Sequence, residues 1–267
     1  MMKDMVLHEV ADIHYRRTGQ GQPLILLHGF ASSSAFWKAL PAALGEDFDI
    51  IAPDWPGFGM TSAAMPLDTA QDFAAFVLRL ADLLGLERFH VLGHSMSGFV
   101  VQELLAHHGA RLLSATLYGA GLQADSGRRF ESLQATLSRL ENEGTQAAIK
   151  RILGTWFAQP LASAEALRDC ENAARGMTLQ AAKGALTAFA GVNYSSRLDH
   201  ATTPTLVILG ECERSHPPVS ALELAGALPG AHLAILPFCG HAAHMEQPKL
   251  FGCILREFLL SASQADN

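Results

Sequence analysis

Ser95 stands in Gly93-His94-Ser95-Met96-Ser97-Gly98. The segment lies between an apolar run of strand composition (Phe89, Val91, Leu92) and a helix-like run (Phe99, Val100, Val101, Leu104, Leu105). A strand, a tight turn carrying serine and a helix form the local context that presents a hydroxyl as a nucleophile. Such a turn forces the serine into a sparsely allowed backbone conformation, so its neighbours must be small, and Gly93, Ser97 and Gly98 are. The next N–H, that of Met96, opens a helix, where the dipole favours a developing negative charge. A hydroxyl is a poor nucleophile near neutral pH; it needs a base within hydrogen-bond reach and an acid to orient that base. His241, in Cys239-Gly240-His241, and Glu213, the third residue after Gly210, each follow an apolar run that reads as a strand. Two rivals for the acid remain. Glu211 lies nearer its strand and points differently, and Asp125 lies beyond the run that ends near Tyr118.

These groups need a scaffold that brings them to one rim. Val6 to Arg17 reads as two short strands, and Pro23 to Leu27 and Phe48 to Ala52 as strands buried on both faces. Ser32, Ser33 or Ser34 is positioned to cap a helix holding Phe36, Trp37 and Leu40. Asp68-Thr69-Ala70-Gln71 has the spacing of a capping box. Behind it Phe73, Phe76, Val77, Leu80, Leu83 and Leu84 recur at helical steps, and Gly85 ends the run. Further strands are expected at Leu112 to Tyr118, Pro204 to Leu209 and His232 to Leu236, and helices at Pro218 to Leu228 and Pro248 to Leu260. Strands alternating with helices predict an α/β chain with a doubly wound, mostly parallel sheet. In such sheets ligands bind beyond the carboxyl ends of the strands, where His28, Ser95, Glu213 and His241 all fall. Between Gly121 and Arg197 the pattern is helical, with no buried-strand run. This predicts a core of residues 1–120 and 198–267 with a helical cap inserted at 121–197.

Several motifs together resemble the α/β-hydrolase superfamily over nearly the whole chain. They are His28-Gly29, Asp54-x-x-Gly57-x-Gly59, Gly93-His94-Ser95-Met96, Gly210-Glu211-Cys212-Glu213, and Gly240-His241 with Glu246-x-Pro248. The order nucleophile, acid, histidine fits that arrangement. The resemblance implies the α/β-hydrolase fold, Ser95 as nucleophile, His241 as base, and an oxyanion hole from the N–H groups of Phe30 and Met96. The sequence departs from the family twice: Glu213 stands where Asp is usual, and Ser97 stands where the pattern G-x-S-x-G has glycine. His28 and Gly29 on the oxyanion loop, and Trp156-Phe157 in the cap, are the candidate substrate-binding residues. His94, His244, His107 and His108 read as structural or surface histidines, and Glu246 as a holder of the His241 loop.

An aspartate nucleophile, as in epoxide hydrolases and haloalkane dehalogenases, is absent from position 95. The C–C bond hydrolases of meta-cleavage pathways usually show Gly-Pro-Gly after the first His-Gly and a Trp after the catalytic His. Here those positions read Phe30-Ala31-Ser32 and Ala242. Size, the short cap and the Trp156-Phe157 pair are similar to enol-lactone hydrolases, small carboxylesterases and cofactor-free haloperoxidase/esterases. The resemblance therefore implies hydrolysis of a small ester or lactone through an acyl-serine. Its alternatives are a hydrolase-like small-molecule receptor or regulator, a C–C bond hydrolase, and a cofactor-free dioxygenase.

Composition narrows the partners. At 267 residues and 49% hydrophobic, the chain can bury one large core. A formal charge of −7, without a Lys/Arg cluster, argues against nucleic acid and anionic membranes. No apolar run approaches the roughly 18 residues of a membrane span. The four cysteines lack C-x-x-C spacing and read as reduced thiols, and the N-terminus lacks an apolar leader, so a cytoplasmic protein is expected. No metal-ligand spacing and no nucleotide fingerprint occurs, so neither metal nor cofactor is expected.

Overall fold

Buried backbone N–H and C=O groups must be paired, and the apolar runs pair here as one sheet. The computed structural model describes residues 4–44, 47–124 and 127–265. The strands are β1 (Val6–Val10), β2 (Ile13–Gly19), β3 (Gln22–Leu27), β4 (Phe48–Pro53), β5 (Phe89–His94), β6 (Leu112–Tyr118), β7 (Thr205–Gly210) and β8 (His232–Leu236). Their order is β1-β2-β4-β3-β5-β6-β7-β8. The β1–β2 and β2–β4 pairs are antiparallel, and every pair from β4 across to β8 is parallel. Strands β4, β5 and β7 are buried at every residue, as a parallel sheet covered on both faces requires, whereas the edge strands β1 and β8 are largely exposed.

The helices are α1 (Pro41–Leu44), α2 (Ala70–Leu83), α3 (Met96–His108), α4 (Leu133–Glu143), α5 (Thr145–Leu153), α6 (Ala164–Ala174), α7 (Leu179–Phe189), α8 (Ser195–Leu198), α9 (Pro218–Gly226), α10 (Ala243–Glu246) and α11 (Pro248–Ala265). Helices α4 to α8 form the insertion between β6 and β7. Its two ends meet in an isolated antiparallel bridge between Gln123 and Asn193. Within it Glu131 pairs with Arg151 at 2.6 Å and Arg139 at 3.3 Å, joining the start of the insertion to α4 and α5. The insertion rests on the core where Thr178 N–H donates to Gly57 O (2.9 Å) and the Phe73 and Phe189 rings meet at 5.2 Å.

Two local expectations shift. The predicted helix after Ser32 shrinks to a single 3₁₀ turn, Ser34–Trp37, and Ser33 makes no side-chain cap. The buried Asp54 carboxylate takes the Ser34 N–H at 2.6 Å, doing the cap's work from another segment. Helix α2 is capped by Thr69 rather than Asp68. The Thr69 hydroxyl accepts from Asp72 N (3.1 Å) and donates to the Asp72 carboxylate (2.5 Å), so the box sits one residue later.

Among the described residues no helix is long and apolar enough to cross a membrane, and no His/Cys/Asp/Glu group is arranged to hold a metal ion. The four cysteines are free thiols.

Candidate active site

The turn between β5 and α3 places Ser95 at φ 55°, ψ −115°. A non-glycine residue there costs on the order of 1–3 kcal/mol, which surrounding structure must offset. Ser95 N–H donates to Tyr118 O at 2.7 Å, and Gly98 N–H donates to Ser95 O at 2.9 Å. Gly93 permits the turn to close, because a Cβ there would lie 2.3 Å from Ser97 O. Ser97, the departure from glycine, is fully buried and used: its hydroxyl donates to His28 O (2.5 Å) and accepts from Trp55 Nε1 (3.2 Å). It therefore ties the elbow to the ends of β3 and β4.

Glu213, just beyond β7, meets His241, just beyond β8. His241 Nδ1 donates to Glu213 Oε2 at 2.5 Å, and the two side chains are 1% and 0% exposed. The other carboxylate oxygen accepts from Ser215 N–H (2.6 Å) and His216 N–H (3.3 Å). With Nδ1 engaged as donor, Nε2 carries the lone pair that a general base needs. The longer acid fits because Gly119, after β6, has no side chain. A Cβ there would sit 3.1 Å from Glu213 Oε2 and 3.2 Å from His241 Nδ1. Glu211 is turned away, accepting from Phe238 N–H at 3.1 Å. Asp125, the other rival acid, lies outside the described residues.

The His241 loop is held from two sides. Glu246 accepts from Gly240 N–H (2.7 Å) with one oxygen and from Ala158 N–H (3.0 Å) with the other. Trp156 O accepts from Ala242 N–H at 3.1 Å. The Trp156 ring then lies 5.2 Å from the His241 ring and 5.6 Å from those of His94 and Phe36.

Three other buried histidines are fixed as neutral rings. His94 Nε2 donates to His241 O at 3.0 Å, and burial, reinforced by His241 and His244, pushes its pKa well below the usual value. His244 Nε2 donates to Phe36 O and its Nδ1 accepts from Tyr118 OH, both at 3.1 Å; burial lowers it to about 4. His28 Nδ1 donates to Gly29 O (2.9 Å) and its Nε2 accepts from Trp55 N–H (3.2 Å); burial lowers it to about 4 as well.

A cavity opens above Ser95 and His241. Phe30, Met96 and Trp156 line it, and Phe130, Leu133, Ile152, Leu186 and Phe189 of the insertion complete its apolar walls. His28, Gly29 and Phe157, read as substrate-binding from the sequence, are not among its lining residues. The His28 ring is occupied by Trp55 and Gly29, and Gly29 packs behind the nucleophile, where a Cβ would stand 3.1 Å from Ser95 Cβ. Phe157 is buried. The sequence reading missed Phe99, Arg129, Thr136 and Ser215, which also line the cavity. Phe99, one turn into α3, and Ser215, two residues after Glu213, carried a positional signal; Arg129 and Thr136 did not.

Chemically, the site offers a strained hydroxyl, a histidine oriented by a buried carboxylate, and the first N–H of α3 beside an apolar chamber. This is the set that acyl transfer demands.

A family model described as alpha/beta hydrolase fold matches residues 22–248. A protein of Agrobacterium fabrum named "Putative carbamate hydrolase RutD" is 29% identical over 265 residues, 95% of this chain and 98% of that protein. A 2-hydroxy-6-oxononadienedioate/2-hydroxy-6-oxononatrienedioate hydrolase of Paraburkholderia phymatum is 28% identical, over 92% of this chain and 90% of that protein. The solved enol-lactonase of Burkholderia xenovorans superposes with a TM-score of 0.86 at 22% identity, covering 93% of this chain and 96% of that one, a likeness of fold.

Proposed function

Because the chain belongs to the alpha/beta hydrolase fold family, we propose that it is a serine hydrolase that cleaves a small ester or lactone through an acyl-Ser95 intermediate. The observation that carries this reading is the buried Glu213–His241 pair, whose histidine lines one cavity with the elbow serine. His241 Nε2 takes the Ser95 proton as Oγ attacks the carbonyl, then returns it to the leaving oxygen. Water, activated by the same nitrogen, releases the acyl group and restores the serine. Glu213 holds the imidazole in its tautomer and stabilises the imidazolium; it stays ionised throughout. The N–H groups of Met96 and Phe30 receive the tetrahedral oxyanion. Met96 is the first residue of α3, so its N–H belongs to the helical donors that lack an intrahelical acceptor. Residues 121–197 act as the cap. Its side chains form most of the apolar wall, exclude water and set substrate choice. The reaction calls for no cofactor or metal, and the four free thiols fit a cytoplasmic setting.

A panel of aryl esters and lactones tests the reading against wild type and Ser95→Ala, with mass spectrometry of the Ser95 peptide after rapid quench. Turnover with an acyl adduct on Ser95 supports it; equal turnover by Ser95→Ala refutes it.

Similarity to the Paraburkholderia protein favours a second reading, C–C bond hydrolysis of a 2-hydroxy-6-oxo dienoate. The site differs from the usual signature of that group at Phe30-Ala31-Ser32 and Ala242. Preferential turnover of such a dienoate over every ester in the panel would establish it.

A further inference from the structure

His94 sits between parts of the site that must hold register with one another. It ends β5, one residue before the elbow serine, and it is fully buried. On one side it packs against the loop that carries Phe30: a Cβ on Gly29 would stand 2.9 Å from His94 Nδ1. On the other side its Nε2–H donates to the backbone oxygen of His241 at 3.0 Å, and the two rings lie 4.4 Å apart. A carbonyl oxygen only accepts, so this contact fixes the His94 proton on Nε2. The rings of Tyr118 (4.6 Å), Phe36 (4.8 Å) and Trp156 (5.6 Å) pack around it.

We propose that His94 is a positioning residue for the reaction: it sets the place of His241 relative to Ser95 by tying the elbow directly to the backbone of the base. The inference rests on the acyl-transfer reading above and deepens it. Strands β5 and β8 are not neighbours, because β6 and β7 stand between them. Without the tie, register between the serine and the histidine passes through three ladders, each adding its own twist. The His94 hydrogen bond bypasses them. It acts on a main-chain atom of His241, so Nδ1 of that side chain keeps Glu213 and Nε2 is left for the serine. An imidazole suits the task because it stays neutral here, through burial first and the neighbouring His241 and His244 second. A cationic donor in the same place would oppose the imidazolium that forms on His241 during acyl transfer.

The test compares two amides of different reach. Glutamine places an N–H where the imidazole Nε2 stands; asparagine is a methylene shorter and falls short of the His241 carbonyl. kcat and KM are measured on the best ester of the panel, with melting temperatures of the same preparations. His94→Gln is expected to stay within about tenfold of wild type in kcat. His94→Asn is expected to lose on the order of 100-fold in kcat with KM little changed, the scale of an ångström's misplacement of a reacting group. Should His94→Asn fail to fold, His94→Met, which fills the space without a donor, takes its place with the same expectation. Equal kcat in the long amide and the variant without reach, or a loss confined to KM or to melting temperature, overturns the inference and leaves His94 a packing residue. A wild type that turns over no ester or lactone removes the acyl-transfer reading instead. The proton that His241 Nδ1 donates to Glu213 then decides the inference by NMR, without substrate. Its far-downfield resonance retained in His94→Gln and lost in the variant without reach supports the tie; any other pattern ends it.

Discussion

Glu213→Gln changes one buried atom's chemistry and almost nothing of its shape. The carboxylate now accepts three N–H donors, His241 Nδ1 on one oxygen and the backbone of Ser215 and His216 on the other. An amide has one oxygen to offer. If that oxygen faces His241, the NH₂ confronts the Ser215 N–H across 2.6 Å, donor against donor. If it faces the backbone, the NH₂ confronts His241 Nδ1, which must give up its proton; the proton then sits on Nε2 and the base is lost. The second orientation keeps the backbone bonds, so the wrong tautomer is the expected outcome. Loss of the correct tautomer costs about 10⁴ in kcat, which at ~1.36 kcal/mol per decade is roughly 5.4 kcal/mol of transition-state stabilisation. The first orientation would cost stability instead, about 1–3 kcal/mol for buried donors left unsatisfied. Steady-state kcat on the best aryl ester, with thermal denaturation of the same preparations, separates the two. A variant that keeps kcat within tenfold of wild type refutes the reasoning. If Asp125→Asn abolishes activity at the same time, the acid belongs after β6.

Ser95→Ala should lose on the order of a millionfold in kcat, because a triad serine acts as part of a unit; ester turnover within tenfold of wild type would show that the serine is not the nucleophile. Trp156→Ala should raise KM and alter acyl-chain preference, and should also destabilise the fold by about 3–5 kcal/mol as a buried tryptophan is emptied. Unchanged kinetics across chain lengths would make Trp156 a packing residue only. Stability should fall as pH drops from 6.5 towards 4. His28 and His244 are held near 4 in the folded state against 6.5 when unfolded, so below 6.5 the unfolded chain binds the extra protons. Each contributes on the order of 3 kcal/mol, present above the upper value and gone below the lower; a melting temperature that stays flat across this window contradicts the assignment of both rings as buried and neutral.

What could be read from the sequence was whatever is set by short-range order. The elbow was legible because a strand, a small-residue turn and a helix lie within one short segment. Glu213 and His241 were legible because a doubly wound sheet delivers strand ends to one rim. The chamber was not. Helical periodicity says that α4, α5 and α7 each bury a face, but not what that face meets, so Leu133, Ile152 and Phe189 gave no sign of lining a cavity. Arg129 lies before α4 in a stretch without period, and its contact with His216, distant in sequence, could not be read from local pattern. His28 misled for the opposite reason. A histidine at a strand end looks poised for substrate, yet the Trp55 N–H, distant in sequence, had already claimed its ring. Ser97 looked like a tolerated departure from glycine; its two hydrogen bonds come from segments that no local pattern connects to it.

The bridge between Gln123 and Asn193 closes the insertion at its root. A loop whose ends already meet can grow or shrink at little entropic cost, because closure entropy rises only with the logarithm of length. The sheet can thus tolerate changes of length between those two residues, provided that their join survives and that the Trp156–Ala158 backbone still holds the His241 loop. Deletions and added helices elsewhere in the segment can be sampled by descent without disturbing that support. Heredity can alter what such a protein admits while conserving what it does to it.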